Sequence, residues 1–186
     1  MSREANQYIR VHTGIKFYPL DPHIEEISIE DIAHAGSNTC RWGGHCDEFF
    51  SVNQHCCLVH DLLPWDLRRA GLLHDASESY ILDMPRPVKY QIPQYLRIED
   101  WLMQNIAARF DFDLEELEDI KGADDYVLYL ERQNLFACGG AREVLSDRAV
   151  DFFFAQRINP DNLPRLVPWS PKQAKAEFLK RYSNLP

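Results

Sequence analysis

The sequence predicts an all-α domain with a short β-hairpin near its N-terminus. Apolar residues recur at helical spacing over most of the chain, and capping residues precede several of these stretches. Residues 7–18 instead show the pattern of two short strands around Thr13-Gly14. With 186 residues, of which 45% are hydrophobic, the chain is long enough to bury a core, and we expect a single domain over 1–186.

Helix boundaries follow from caps and prolines. Ser28 is a predicted N-cap followed by acidic residues, and Ser51 forms a capping box with Gln54 at N3. Two prolines within residues 82–89 predict an extended loop there. The first predicted helix begins at Ser28 and ends before Gly43. The others cover about 51–63, 66–78, 94–110, 114–137 (with an interruption at Lys121-Gly122 as one alternative) and 148–157, and Ser170-Pro171 opens the last one.

The composition disfavours several classes of protein. The formal charge of −9 argues against binding to nucleic acid or anionic membrane, since both need a basic face, but not against a small phosphorylated substrate. No run approaches the roughly 18 apolar residues of a membrane span, and residues 1–6 lack the apolar stretch of a signal peptide. The cysteines show no Cys-x-x-Cys spacing, which disfavours a zinc ribbon or a disulfide scaffold. We therefore expect a cytoplasmic protein with reduced thiols at Cys40, Cys46, Cys56, Cys57 and Cys138.

The pair His74-Asp75 is the most informative feature of the chain. A neutral imidazole beside a carboxylate offers a divalent cation one nitrogen and one oxygen ligand. His55 lies 19 residues upstream and Asp124 lies 49 residues downstream, both in segments with helical periodicity, so a helical bundle can bring the four together. None of the seven histidines follows His74, which excludes a centre that draws histidines from the second half of the chain. The sequence thus predicts one metal ion held by two His and two Asp.

Each of these residues also has a simpler interpretation. His74-Asp75 alone could be an ordinary pair on a helix surface, His55 a hydrogen-bonded core histidine, and Asp124 a solvated acid. The apolar residues before His74 indicate burial, and a buried charged pair needs a partner, which favours the metal interpretation. On a helix, Glu78 would share the face of His74 and approach the same site from one turn further along.

Two further stretches offer groups suited to a phosphorylated ligand. Arg41-Trp42 supplies a guanidinium for bidentate phosphate contact and an indole that can stack on a base or form one wall of a sugar pocket. The loop over residues 83–89 adds a carboxylate and an ammonium group at Asp83 and Lys89. Taken singly, a surface Arg and a core Trp would be the ordinary interpretation.

Together these residues resemble the H…HD…D signature of the HD-domain phosphohydrolases, over about Thr13 to Glu131. Within that superfamily the chain resembles the small bacterial and prophage branch that includes 5′-deoxynucleotidases and phage dATP triphosphohydrolases. The matching motifs, in order, are Asp31-Ile32-Ala33, Arg41-Trp42-Gly43-Gly44-His45, Ser51-Val52-Asn53-Gln54-His55, His74-Asp75-Ala76-Ser77-Glu78 and Asp83-Met84-Pro85-Arg86-Pro87-Val88-Lys89.

The resemblance implies an HD-type helical bundle, with a metal-binding core at about 28–137 and a C-terminal helical extension at about 145–186. It implies a metal shell of His55, His74, Asp75 and Asp124, with Glu78 as catalytic acid and Asp83 as a sugar-side or water-positioning carboxylate. The residues that it places around the substrate are Arg41, Trp42, His45 and Lys89. The apolar run Phe152-Phe153-Phe154 favours core packing or a subunit interface, and we expect a homo-oligomer.

The expected activity is metal-dependent hydrolysis of the 5′-phosphate or 5′-phosphates of deoxynucleotides, preferred over ribonucleotides. Two alternatives stay open: a triphosphohydrolase acting on dATP, for which Arg41, Arg86, Lys89 and Arg97 offer cations, and a non-catalytic nucleotide-binding regulatory module. Two His and two Asp leave coordination positions open for water and substrate, and one ion of Mn²⁺, Co²⁺, Fe²⁺, Ni²⁺, Zn²⁺ or Mg²⁺ is compatible with them.

Overall fold

The computed structural model describes residues 7–137, 145–157 and 163–185. These ranges are mostly helical, with one hairpin in which β1 (Ile9–Arg10) pairs antiparallel with β2 (Lys16–Phe17). The predicted fold class, all-α with a short N-terminal hairpin, is confirmed. Residues 1–6 and Cys138 lie outside the described residues, so the predictions made for them are not addressed by the structure.

Ten α-helices run through the described residues, several of them only one turn long. They are α1 (Ile29–Asn38), α2 (Val52–Leu62), α3 (Arg68–Leu73), α4 (Glu78–Ile81), α5 (Arg86–Lys89), α6 (Pro93–Phe110), α7 (Glu116–Asp119), α8 (Lys121–Asn134), α9 (Asp147–Ala155) and α10 (Pro171–Ser183). Short 3₁₀ turns occupy Ile24–Glu26, Trp42–Gly44 and Trp65–Leu67. Among the described helices, none is both long enough and apolar enough to cross a membrane.

The predicted serine caps open their helices. The hydroxyl oxygens of Ser28, Ser51 and Ser170 each accept a hydrogen bond from a backbone N–H two or three residues further on. Such a bond satisfies one of the donors that the first turn of a helix leaves without a partner. The starts of α1, α2 and α10 are therefore encoded locally.

The capping box at the start of α2 is only half formed, because Gln54 is used elsewhere. Its amide nitrogen donates to the carbonyl of Val167 at 2.8 Å, and its oxygen accepts from the N–H of Trp169 at 2.8 Å. The buried Gln54 thus attaches the segment before α10 to α2. In addition, α10 packs against α1, α2 and α3, and buries Phe178 in the main core.

The third predicted helix is interrupted where the metal candidates lie. α3 ends at Leu73, residues 74–77 form a tighter turn, and α4 begins at Glu78. The N–H of Ala76 donates to the carbonyl of Leu73, three residues back rather than four. The spacing predicted one regular helix carrying both His74 and Asp75. In the structure the two residues lie instead in the turn between α3 and α4.

Two other boundaries differ from the prediction. The loop at 82–89 is extended only to Pro85, because Arg86–Lys89 form one helical turn, α5. Proline is compatible with a first helical turn, since its missing N–H has no partner there in any case. The helix expected at 114–137 is divided at Ile120 into α7 and α8, so the alternative with an interruption is the correct one.

Helix α2 lies at the centre of the fold and contacts α1, α3, α8 and α10. The main core cluster unites fully buried side chains from six of the helices, among them Ile32, Val59, Leu72, Ile106, Val127 and Phe178. A second cluster joins α8 to α9 and includes Tyr126, Leu130 and Phe153. Burial of a large apolar side chain contributes roughly 1.5–3 kcal/mol, so these clusters hold the helices that carry the candidate site.

The phenylalanine run in α9 divides between core and surface. Phe153 is buried, Phe152 packs partly against the core, and Phe154 is 73% exposed. The packing interpretation therefore accounts for two of the three side chains. The homo-oligomer stays a prediction.

Candidate metal centre

Three elements bring the predicted metal ligands together. They are α2, the turn after α3, and α8, and they supply His55, His74, Asp75 and Asp124. A Cβ atom at Gly71 of α3 would lie 2.2 Å from Leu63 Cδ1, so the Leu63 side chain packs closely against the backbone of α3 just before the turn. The imidazole of His55 is fully buried, while the Asp75 side chain is 23% exposed, so the group extends from the interior of the bundle toward its surface.

The donor atoms of three of these residues form a triangle. His55 Nε2 and His74 Nε2 are 3.1 Å apart, and Asp75 Oδ2 lies 3.3 Å from His74 Nε2 and 3.8 Å from His55 Nε2. Donor atoms about 2.0–2.2 Å from a shared ion lie roughly 3 to 4 Å from one another. The group of His55, His74 and Asp75 could therefore hold a metal ion.

The hydrogen bonds of the two imidazoles test whether a cation fits between them. His74 Nδ1 donates to the carbonyl of Gly71 at 2.8 Å, and His55 Nδ1 donates to Glu131 Oε1 at 2.7 Å. Since Nδ1 carries the proton in both rings, each neutral ring presents a lone pair at Nε2. Two lone pairs 3.1 Å apart repel each other unless a cation, either a proton or a metal ion, lies between them. The donor set therefore fits a divalent metal.

Asp124 approaches the same two imidazoles from α8. Its Oδ1 lies 3.1 Å from His55 Nε2 and 3.9 Å from His74 Nε2. Burial disfavours the charged carboxylate, but the contact with His55 outweighs it and lowers the pKa of Asp124 below its ordinary value. Asp124 is thus an ionised oxygen ligand candidate beside the group of three.

The pKa shifts of His74 and Asp75 in the turn also favour the charged form of each side chain. Burial lowers the pKa of His74, but the Asp75 carboxylate reverses this and raises it well above the ordinary value. Burial likewise raises the pKa of Asp75, and His74 lowers it well below the usual range. The cluster of carboxylates therefore attracts a positive charge to the imidazole nitrogens.

Glu131 lies beside the candidate ligands but was not predicted from the sequence. Its side chain is fully buried on α8, one oxygen accepts from His55 Nδ1, and the other accepts from Arg41 Nε at 3.0 Å and from Trp42 Nε1 at 2.9 Å. Burial raises the pKa of Glu131, but Arg41 and His55 lower it, so the carboxylate is ionised. The only signal in the sequence was its position seven residues, or two helical turns, after Asp124.

The structure places Arg41 and Trp42 beside the candidate ligands. Arg41 is buried, and its Nη1 lies 3.2 Å from Asp75 Oδ2. Trp42 has a φ of 59°, which is unfavourable for a bulky side chain, and its indole packs edge-on against Phe136. The bond from Trp42 to Glu131 holds the indole in this conformation.

Glu78 and Asp83, the predicted catalytic carboxylates, lie on the same side of the bundle. Glu78 is buried at the start of α4, and its Oε2 has no hydrogen-bond partner within the described ranges. Burial, with the charges of Asp75 and Asp83, raises the pKa of Glu78 well above its ordinary value. Burial also raises the pKa of Asp83. A buried carboxyl whose pKa is raised toward neutral pH is suited to proton transfer.

The two remaining substrate candidates are less closely tied to this centre. The Lys89 ammonium forms an ion pair with Glu99 at 2.5 Å, so part of its charge is already neutralised. His45 is exposed after the 3₁₀ turn of residues 42–44. In the described part of the chain, its side chain forms no hydrogen bond or ion pair. Neither residue contacts the predicted metal ligands directly.

Two cations do contact a predicted ligand. Arg86 Nη2 and Lys121 Nζ lie 3.8 Å and 3.6 Å from Asp124 Oδ2, the oxygen that faces away from the imidazoles. Lys121 was not predicted as a site residue, although its place three residues before Asp124 on a helix would put both on one face. Both cations are partly exposed and can reach a ligand at the mouth of the site.

Comparison with known proteins shows the family. The chain is 30% identical over 178 residues to the uncharacterized protein YfdR of Escherichia coli (strain K12), a match that covers 96% of this chain and 95% of YfdR. The chain belongs to the YfdR family. A second relative is an uncharacterized protein of Rhodobacter capsulatus. It is 37% identical to this chain over 113 residues, which cover 54% of this chain and 57% of that protein. No protein-family model matches the chain.

The match to YfdR extends over nearly the whole chain, so it includes the segments that carry all the candidate residues. The names of the two relatives state no activity. What this member of the YfdR family does must therefore be inferred from the chemistry of its own side chains.

Proposed function

We propose that this protein is a metal-dependent phosphohydrolase that removes phosphate from the 5′ position of deoxynucleotides. One observation carries the proposal: Asp75 Oδ2 lies 3.3 Å from His74 Nε2 and also 3.2 Å from Arg41 Nη1. A metal-holding group and a buried guanidinium thus share one carboxylate oxygen. A metal ion and a guanidinium are both groups that stabilise the charge on phosphoryl oxygens when a phosphate ester is hydrolysed.

A divalent ion held by the two histidines, Asp75 and Asp124 would supply Lewis acidity toward a phosphoryl oxygen and lower the pKa of nearby water. Arg41 binds phosphate oxygens through its planar fork, which Glu131 and Asp75 hold in a fixed orientation. In the reaction, a water oxygen forms a bond to phosphorus, and the bond between phosphorus and the 5′ oxygen breaks. The products are a nucleoside and phosphate.

Glu78 moves the proton that this reaction requires. The leaving 5′ oxygen needs a proton, and the buried carboxyl of Glu78 has an oxygen with no other partner among the described residues. Asp83, five residues further along, orients the water or the sugar. Leu82 between them has a φ of 73°, and its carbonyl accepts from the Tyr95 hydroxyl at 2.7 Å, which fixes the direction in which the chain leaves α4.

A triphosphate substrate is the second candidate. The observation that favours it is the pair of cations at Asp124 Oδ2, Arg86 and Lys121, which adds positive charge outside the buried guanidinium. A triphosphate carries more negative charge than a monophosphate and needs more such contacts. With these cations the same site would cleave dATP to deoxyadenosine and triphosphate.

The decisive experiment is a panel of ribo- and deoxynucleotide mono- and triphosphates. Each is incubated with the metal-free protein and then with Mn²⁺, Co²⁺, Fe²⁺, Ni²⁺, Zn²⁺ or Mg²⁺, and the products are separated to distinguish phosphate from triphosphate. We expect metal-dependent release of a nucleoside, with deoxynucleotides preferred. Hydrolysis of a generic phosphate ester, but of no nucleotide with any of these ions, would refute the nucleotide assignment. Nucleotide binding without turnover would indicate a regulatory module instead.

A further inference from the structure

The carboxylate of Glu131 contacts the predicted metal ligand His55 with one oxygen and the proposed substrate residues Arg41 and Trp42 with the other. Oε1 accepts from His55 Nδ1 at 2.7 Å, and Oε2 accepts from Arg41 Nε at 3.0 Å and from Trp42 Nε1 at 2.9 Å. The three donors come from residues 76 to 90 positions away in the chain. All three bonds have good length, and the carboxylate is fully buried, so no water competes for its oxygens.

Carboxylates face both ring nitrogens of His55, since Glu131 Oε1 lies 2.7 Å from Nδ1 and Asp124 Oδ1 lies 3.1 Å from Nε2. The shorter contact favours a proton on Nδ1, and a metal ion at Nε2 would require it there, because a metal-bound nitrogen carries no proton. Nε2 then carries the lone pair, and it is Nε2 that faces His74 Nε2 and Asp124 Oδ1. A carboxylate behind a metal-binding imidazole orients the ring and raises its basicity as a ligand.

The other oxygen of Glu131 fixes the residues proposed to bind substrate. Arg41 is buried and would be costly to leave without a counter-charge. Trp42 has a left-handed backbone conformation that costs free energy unless other contacts hold it. The Glu131 carboxylate supplies the counter-charge of Arg41 and accepts the hydrogen bond that holds Trp42. One side chain therefore sets the position of the Arg41 guanidinium and that of the His55 imidazole.

We propose that Glu131 is a positioning residue: it holds His55 in the tautomer that binds metal and, through its second oxygen, places Arg41 and Trp42 around the phosphate. This inference rests on the proposed function, in that it assigns a task to Glu131 in the same site. Glu131 itself touches neither substrate nor metal.

Glu131→Gln tests the assignment because the amide has one acceptor and one donor end. The acceptor end is expected to stay with the charged Arg41 and with Trp42, since the alternative would direct the amide N–H groups at two donors. The donor end then faces His55 Nδ1, which must become an acceptor. Its proton moves to Nε2 and blocks the nitrogen that binds metal.

The first measurement is Co²⁺ affinity by titration calorimetry. We expect Glu131→Gln to weaken Co²⁺ binding by about 10–100-fold, the loss typical of a residue that orients a metal ligand. Glu131→Asp, which also cannot donate, should lose less. The matched control is Asp31→Asn, which alters another buried carboxylate with two bonds, from the N–H and the hydroxyl of Thr13, and should leave Co²⁺ affinity unchanged. Equal Co²⁺ affinity of Glu131→Gln and the wild type would overturn the proposal.

The second measurement needs neither metal nor a stable variant. Long-range ¹H–¹⁵N spectra of the metal-free wild type should show a proton on Nδ1 of His55, and those of Glu131→Gln should show Nδ1 without one. A wild-type His55 without a proton on Nδ1 would refute the inference, even if the variants failed to fold. Absence of Co²⁺ binding by the wild type would instead refute the metal-dependent function, and the spectra would still decide the role of Glu131.

Discussion

The Nε2 atoms of His55 and His74 face each other across 3.1 Å, while the Nδ1 atom of each ring donates away from the other. This arrangement is unfavourable for two neutral imidazoles, and it becomes favourable when a cation lies between them. Asp75 and Asp124 lie beside the same nitrogens and add negative charge. The bundle is therefore built around a place for positive charge, and the predictions below follow from it.

Metal binding should depend on Asp124 as well as on the two histidines. Mutating a residue behind the ligands typically weakens metal binding by roughly 10–100-fold. We expect Asp124→Ala to weaken it far more, since this change removes the carboxylate oxygen that lies beside both imidazole nitrogens. Asp125→Ala, one residue along the same helix, is the control, because its carboxylate bonds to Ser146 instead. Elemental analysis and calorimetry give the comparison. Full metal occupancy in Asp124→Ala would remove Asp124 from the site, and two ions per chain would contradict a mononuclear centre.

Glu78→Gln should separate chemistry from binding. The variant keeps the shape of the side chain but cannot exchange a proton, so kcat should fall by about 10²- to 10⁴-fold while metal content is retained. Steady-state rates on the best nucleotide, with metal analysis of the same preparation, are the measurement. Glu115→Gln, an exposed carboxylate before α7, serves as control. An unchanged kcat would mean that Glu78 has no part in the reaction.

Arg41 and Trp42 should affect different properties of the proposed activity. Arg41→Lys keeps a positive charge but loses the planar fork, so KM for nucleotides should rise and kcat/KM should fall. Trp42→Ala should instead change the preference among sugars and bases, because an indole contributes shape and stacking and not charge. Both variants are compared on the same nucleotide series. An identical loss for every substrate in both variants would contradict this division.

The pH dependence of stability should contain a contribution from Asp61. Partial burial opposes its charge, but hydrogen bonds from His60 and from Arg181 at 2.9 and 2.7 Å lower the pKa of Asp61 from 3.8 to about 2. Because the pKa of Asp61 is lower in the folded than in the unfolded protein, its ionised carboxylate stabilises the fold at any pH above the unfolded-state pKa. This stabilisation is lost as the pH falls from about 4 to 2. Because the side chain is 46% exposed, solvent screening reduces the contribution to about 1 kcal/mol or less.

Asp61→Asn should therefore lower the free energy of unfolding at pH 7, and the difference from the wild type should shrink toward zero as the pH approaches 2. Urea unfolding across this pH range measures it. The exposed Asp100, which forms no ion pair in the described part of the chain, gives the control Asp100→Asn. A difference between Asp61→Asn and the wild type that stays constant with pH would show that the pKa of Asp61 is not lowered by folding.

Gln54 should contribute to stability through the segment before α10. Gln54→Ala leaves the carbonyl of Val167 and the N–H of Trp169 without their partner, at a cost of about 1–3 kcal/mol. Gln173→Ala is the matched control, since the exposed Gln173 takes part in its cap only through its backbone N–H. Thermal unfolding compares the two, and equal stability would show that the two hydrogen bonds of Gln54 do not stabilise the segment before α10.

Much of the fold was predictable because its signals are local. Serine caps, helical periodicity and the strand pattern each depend on residues within about two turns of one another, and α1, α2, α6 and α10 begin close to the predicted positions. The interruption at residues 74–77 was not predictable in this way. Its sequence is compatible with a helix, and the bundle imposes the tighter turn that orients His74 and Asp75.

The order of His55, His74, Asp75 and Asp124 along the chain was enough to propose a metal site, because a ligand set is a matter of side-chain chemistry. The sequence by itself thus determined the fold class and the candidate ligands. Only the tertiary structure decided that Glu131 joins His55 to Arg41, and that Arg86 reaches Asp124 while Lys89 pairs with Glu99. Contacts between residues 76 and 90 positions apart depend on how helices pack, and no periodicity within a helix records that.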